Sequence, residues 1–232
     1  MNIRVDIHVV TEGQSETAFV NKVLNPWFNP LNIYLFPYTV ITKRDHKKGF
    51  QHKGGISTYG KLRNDIIKCL SYTKKENVYV TTMFDYYNFP SDIYGYDELM
   101  HITEPYEKVK CLENIIKKDI EKDKANSGKV FFPYLQIHEF ETLIFCGLDI
   151  LKKKHFDYDI KTLYDALDKF GNPELINDNK ETAPSKRILQ CIPNFYKVTV
   201  GVDIVKEIGV ENLRQKCCHF ANWISYIEKL NK

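Results

Sequence analysis

The chain reads as an α/β protein: a mainly parallel sheet flanked by helices, with a helical C-terminal appendage. Three observations carry this reading. Apolar runs of strand length alternate with stretches whose apolar residues recur at helical spacing, the pattern of βαβ units. Three of these strands end in acidic residues: Glu12, Asp85, and the pair Glu139 and Glu141. From Thr142 onward strand-like runs give way to short helical stretches broken by Gly and Pro. The expected division is an α/β domain over residues 1–145 and an appendage over 146–232, packed as one compact unit.

The first strand, Ile3 to Val10, begins with alternating polarity and ends in Val9-Val10, as a strand does when it runs into a core. Gly13 is expected to allow a tight strand-to-helix turn, and Gln14, Ser15 and Glu16 suit a first helical turn. Phe19, Val20, Val23, Leu24 and Trp27 then form the core stripe of a helix from Thr17 to Phe28, ended by Pro26 and Pro30. Asn32 to Ile41 is the second strand, placed at an edge or a bulge by Pro37. Lys43 to Lys53 carries five Lys/Arg against one Asp among mobile glycines and reads as a basic loop. A helix over Ile56 to Lys75 has a Ser57-Thr58 cap region and Leu62, Ile66, Ile67 and Leu70 at core spacing. Asn77 to Phe84 is the third strand, closed by Asp85. Pro105 suits the first position of a helix that runs to about Lys124. Val130 to Ile137 is the fourth strand, followed by His138-Glu139-Phe140-Glu141. In the appendage Asp159 to Phe170 and Val210 to Leu230 are the clearest helices.

With 232 residues the chain is long enough to bury a sizeable core, and 43% hydrophobic and 27% charged residues are ordinary globular values. A net charge of +3 does not argue globally for nucleic acid; a local patch has to. No apolar run approaches 18 residues and the first residues already read as a strand, so neither a membrane span nor a signal peptide is expected. The six cysteines are scattered without a C-x-x-C, the pattern of reduced thiols in a cytoplasmic protein. Cys217-Cys218-His219 lacks the second cluster that a zinc site requires.

Glu12 is placed at the carboxyl end of a strand, where open α/β sheets bind their ligands, and Glu16 lies one helical turn further on. Carboxylates crowded together repel, so such a group holds a metal or a shared proton. Taken alone, Glu16 also reads as a solvated glutamate favouring its helix dipole. Tyr86, Tyr87 and Phe89 could stack a base, but loop aromatics more often pack on their own domain.

The arrangement E-G-x-x-E after the first strand, with an aspartate closing a later one, resembles the Toprim domain of primases, topoisomerases and overcoming-lysogenisation-defect nucleases. E-G-Q-S-E, G-G-I-S-T-Y-G-K-L, Y-V-T-T-M-F-D-Y-Y, P-Y-L-Q-I-H-E-F-E-T-L-I-F and E-T-A-P-S-K-R together resemble a bacterial family, domain of unknown function 4276, regarded as Toprim-like. The resemblance implies a metal-dependent nuclease using Mg²⁺ or Mn²⁺, working beside an ATPase partner in antiphage defence. Glu12 then matches the Toprim glutamate, Glu16 the second nuclease-type glutamate, and Asp85 the first aspartate of D-x-D. Tyr87 stands where the second aspartate belongs, so Glu139 or Glu141 has to replace it. If that segment stays extended both face one side; if it turns helical they diverge and one alone reaches the site. His138 is a candidate metal ligand or proton shuttle, with a structural hydrogen bond as the bland alternative. Lys61, Lys186 and Arg187 are candidates for a cation near the phosphate. Lys43, Arg44, Lys47, Lys48 and Lys53, with Lys186 and Arg187, are candidates for gripping a nucleic-acid backbone. A non-catalytic scaffold that binds an ATPase or a nucleotide is the alternative.

Overall fold

The computed structural model describes residues 3–40, 43–44, 51–52, 58–73, 75–124, 127–177 and 180–231. Outside these lie Ile41, Lys47, Lys48, Lys53, Ile56 and Ser57. The elements run β1 (Val5–Thr11), α1 (Gln14–Phe19), a π-helical turn (Val20–Leu24), α2 (Asn25–Phe28), β2 (Ile33–Thr39), β3 (Lys43–Arg44), β4 (Gln51–His52), α3 (Tyr59–Leu70) and β5 (Val78–Asp85). Then follow α4 (Pro105–Asp123), β6 (Phe131–Phe132), β7 (Leu135–Gln136) and a 3-10 segment (Phe140–Gly147). The chain ends in α5 (Leu148–Lys154), α6 (Lys161–Phe170), α7 (Pro184–Cys191), a π-helical turn (Lys197–Gly201), α8 (Val202–Ile208), α9 (Val210–Lys216) and α10 (Cys218–Lys229).

The main sheet has the order β2-β1-β5-β6, with β7 also on β5, and every pairing is parallel. The parallel sheet expected from the alternation is therefore present, and β2, which carries Pro37, is an edge strand where a missing N–H does least harm. The basic segment, expected as a loop, instead holds a two-rung antiparallel ladder between β3 and β4.

Each face of the sheet is covered by helices, because residues alternate sides along a strand. Val5, Ile7 and Val9 of β1, Ile33 and Leu35 of β2, and Met83 of β5 belong to one core cluster, shared with α1 and the C-terminal helices. Val10, Val80, Phe84, Phe131 and Leu135 belong to a second, shared with α3 and α4. In the first cluster Phe19 of α1 lies 5.6 Å from Phe140 and 6.2 Å from Phe220 of α10, ring centre to ring centre. All three are fully buried, each contributing about 1.5–3 kcal/mol. The appendage thus forms one outer layer of the molecule and completes the core of the sheet.

Three boundaries differ from the sequence expectation, each for a local reason. The fourth strand splits into β6 and β7 at Pro133-Tyr134, where proline has no N–H to give to a ladder. Thr82 spans the gap: its hydroxyl accepts from Tyr134 N–H (2.9 Å) and donates to Tyr134 C=O (2.8 Å). The first helix widens into a π turn just before Pro26, whose ring would clash with a carbonyl one turn back. The helix expected over Val210 to Leu230 breaks at Cys217, and no side chain of α10 itself caps the new N-terminus. Elsewhere, Pro105 opens α4 as expected, with the Glu104 carboxylate accepting from Glu107 N–H at 2.7 Å. Thr58 precedes α3 without capping it; Asp92 accepts from Tyr59 N–H at 2.8 Å instead.

Candidate functional site

Registers decide which side chains meet. Thr11 pairs with Met83, and Asp85 pairs with Gln136, so the ends of β1, β5 and β7 are level at one edge of the sheet. Glu12, Asp85 and the His138–Glu141 run emerge together there. Asp85 shares the parity of Thr81 and Met83, which places it on the face that the C-terminal helices cover. Backbone bonds tie these ends to one another: Asp85 N–H donates to Glu12 Oε2 (3.2 Å), Phe140 N–H to Asp85 Oδ1 (2.9 Å), and Tyr87 N–H to His138 C=O (3.0 Å).

At the centre sits a residue that sequence reasoning missed. The Lys197 ammonium, from the π turn before α8, lies 3.1 Å from Glu141 Oε2, 3.6 Å from Asp85 Oδ2 and 3.7 Å from Glu16 Oε1. Its signal in the sequence is faint: one lysine among Phe195, Tyr196, Val198 and Val200. Glu16, whose bland reading is a solvated first-turn residue, is buried and faces this ammonium. Gly13 contributes by its size, since its backbone is extended (φ −151°) and open to any residue. A Cβ there would stand 3.1 Å from Glu16 Oε2, a tight contact that the carboxylate would relieve by moving a few tenths of an ångström.

The electrostatics follow from burial. Glu12 is pushed up to about 7, first by burial and then by the neighbouring Glu16 charge. Burial also holds Asp85 well above the usual carboxylate range, against the pull of Lys197, and raises Glu141. Burial alone would favour a neutral Lys197 amine; Asp85, Glu141 and Glu16 outweigh it and keep the ammonium. One ammonium offsets one of four acids, and three negative charges remain if all are ionised.

The segment after β7 turns helical, so its two glutamates diverge. Glu141 faces Lys197, whereas Glu139 Oε2 accepts from Ser185 N–H (2.9 Å) in the first turn of α7. His138 adopts a left-handed backbone (φ 61°), a conformation that costs a non-glycine residue energy. Burial lowers its imidazole to about 4, so the ring is neutral at neutral pH. Its Nδ1 meets Asn177 Nδ2 at 3.3 Å, and its buried Nε2 has no hydrogen-bond partner.

Other candidates lie away from the carboxylates. Lys61 is exposed on the first turn of α3, and Lys186 is exposed on α7. Arg187 donates to Thr182 C=O (2.7 Å) and lies over the Phe170 ring, which fastens α7 to its neighbours. Lys43 and Arg44 fall on β3, while Lys47, Lys48 and Lys53 lie outside the described residues. Phe89 is buried beside Tyr59 and Tyr86 packs on the same core, so these loop aromatics belong to their own domain. Cys217 is buried with its Sγ 3.3 Å from that of Cys146, Cys218 is exposed, and His219 pairs with Glu113 at 3.0 Å. The three do not gather on one point.

Four carboxylates with no nitrogen or sulfur among them fit a hard divalent cation in donor chemistry, and such a cation would favour the ionised forms that burial disfavours. Buried Glu141 Oε2 meets the Lys197 ammonium at 3.1 Å. Among the described residues, no three His, Cys, Asp or Glu side chains stand ready around a cation. Also among the described residues, no helix is long and apolar enough to cross a membrane.

No curated protein and no solved structure matches the chain. A family model does, over residues 11–228, from the acidic edge of β1 to the last turn of α10. The chain belongs to the family described as domain of unknown function DUF4276.

Proposed function

We propose that the chain is a divalent-metal-dependent phosphodiesterase acting on nucleic acid, with Mg²⁺ or Mn²⁺ as its cofactor. The observation that carries this reading is the convergence of Glu12, Glu16, Asp85 and Glu141 at the carboxyl edge of a parallel sheet, around one ammonium. Glu12, Asp85 and Glu141 would hold the ion, with Glu16 beside them. A divalent ion supplies Lewis-acid activation of water and offsets the charge that builds on a phosphate. The backbone bonds from Asp85 and Phe140 orient Glu12 and Asp85, and the surrounding core keeps the acids at fixed positions. His138 is neutral beside the acidic run: Asn177 Nδ2 donates to its Nδ1, so the unpartnered Nε2 carries the hydrogen and is a hydrogen-bond donor. By sequence, Lys61, Lys186 and the basic run from Lys43 to Lys53 are the candidates for gripping a polymer backbone. The resemblance to Toprim nucleases supports the substrate class, an ATPase partner, a defence role and a cytoplasmic location.

A non-catalytic scaffold is the second reading, and Lys197 favours it: acids already paired with a lysine form a self-sufficient structural cluster. Labelled single- and double-stranded DNA and RNA incubated with Mg²⁺ or Mn²⁺ separate the two. Cleavage of at least one polymer is expected, slowed about 100-fold or more in Glu12→Ala and Asp85→Ala. Intact polymers throughout, with the partner ATPase added, would leave the scaffold.

A further inference from the structure

We propose that Lys197 is a tethered cation standing in the metal's place: its ion pairs and a bound divalent ion are mutually exclusive, so metal loading expels the ammonium from the cluster. This rests on reading the carboxylates as a metal site and goes further, because it assigns the site a built-in competitor.

The geometry points there in three ways. First, the ammonium contacts Glu16, Asp85 and Glu141 together, from three separate elements, at 3.7, 3.6 and 3.1 Å. An ion held by Glu12, Asp85 and Glu141 would compete with the ammonium for Asp85 and Glu141, and like charges do not share one set of ligands. Second, exposure is graded across the cluster. The acid side chains are 4–7% exposed, whereas that of Lys197 is 32% exposed. The lysine is thus more exposed than the three acids it contacts. Its four-carbon stem lets the ammonium swing outward without moving the backbone. Third, Lys197 opens a π-helical turn, with exposed Tyr196 (69%) just before it and exposed Val198 (37%) within it. Such turns are uncommon and concentrate at functional sites. Removing the ion pairs without a replacement cation would leave buried, unpaired carboxylates, so the exchange is one cation for another.

The test compares Mn²⁺ binding by calorimetry at pH 8 in wild type, Lys197→Met and Lys197→Arg. The Met variant is expected to bind Mn²⁺ about tenfold tighter or more, while Arg, which keeps the charge, stays at or below wild type. Mn²⁺ should also raise the melting temperature of Lys197→Met more than that of wild type. Should Lys197→Met fail to fold, the wild type still answers, through the side-chain ammonium signal of ¹⁵N-labelled lysine. Mg²⁺ is expected to shift the Lys197 signal toward that of solvated lysines. Equal affinity in all three proteins, or a Lys197 signal unmoved at full Mg²⁺ occupancy, would overturn the competition and leave the metal site standing. Absence of binding in every variant would remove the metal site, and the competition with it.

Discussion

Glu12→Gln is expected to make the metal-free protein more stable above neutral pH, even though it removes a residue of the candidate site. Glu12 in the folded chain titrates at about 7, against about 4.5 in an ordinary environment, because it is buried and faces Glu16. Between these values the folded state holds a proton that the unfolded chain has released. Stability therefore falls as pH rises through this window, and the loss is complete above about 7. The shift of about 2.5 units corresponds to about 3 kcal/mol. Glutamine carries no charge to desolvate, and its carbonyl still accepts the Asp85 N–H. Melting curves of metal-free protein at pH 5 and pH 8 should show the two proteins close together at pH 5. At pH 8 the variant should melt about 6–12 °C higher. A variant less stable than wild type at pH 8 would mean that Glu12 is held ionised by an attraction the structure does not contain.

Glu174→Ala is expected to have the opposite sign and a similar size. Glu174 is fully buried, and its carboxylate accepts from Tyr106 O–H (3.1 Å) and from the N–H groups of His219 (3.0 Å) and Phe220 (3.1 Å). These amides lie in the open first turn of α10, which no side chain of that helix caps. One carboxylate from the segment after α6 thus closes a helix N-terminus and ties it to α4. Alanine would strand the buried Phe220 amide and the half-buried His219 amide and leave a cavity, at a cost of about 4 kcal/mol. Glutamine keeps one accepting oxygen and should lose about half as much. Urea unfolding of both variants checks this, and a loss below about 1 kcal/mol for alanine would show that α10 is held by its apolar face alone.

What was legible in the sequence followed from local rules. Strand ends announce themselves by a change from apolar to acidic, so the chain alone places Glu12 and Asp85 at the sheet edge. Pro37 marked an edge strand and Pro105 a helix start, because a missing N–H restricts where proline fits. The fate of Glu139 and Glu141 depended on whether the segment turned, which two residues cannot reveal. Lys197 and Glu174 were illegible for another reason. Each meets partners far away in the chain, Lys197 with Glu16 and Asp85, Glu174 with Phe220, and only the packed core makes them neighbours. Residues set by periodicity are read from the chain, whereas residues set by tertiary closure are not.

Whether the four buried carboxylates form a site for a divalent cation is tested most directly by calorimetric titration with Mn²⁺ and Mg²⁺. Wild type is expected to bind, and both Glu12→Ala and Asp85→Ala, folded by their circular dichroism, to lose binding. Wild-type protein that takes up neither ion, even with an oligonucleotide present, would contradict the metal site and leave Lys197 and its carboxylates as a structural cluster.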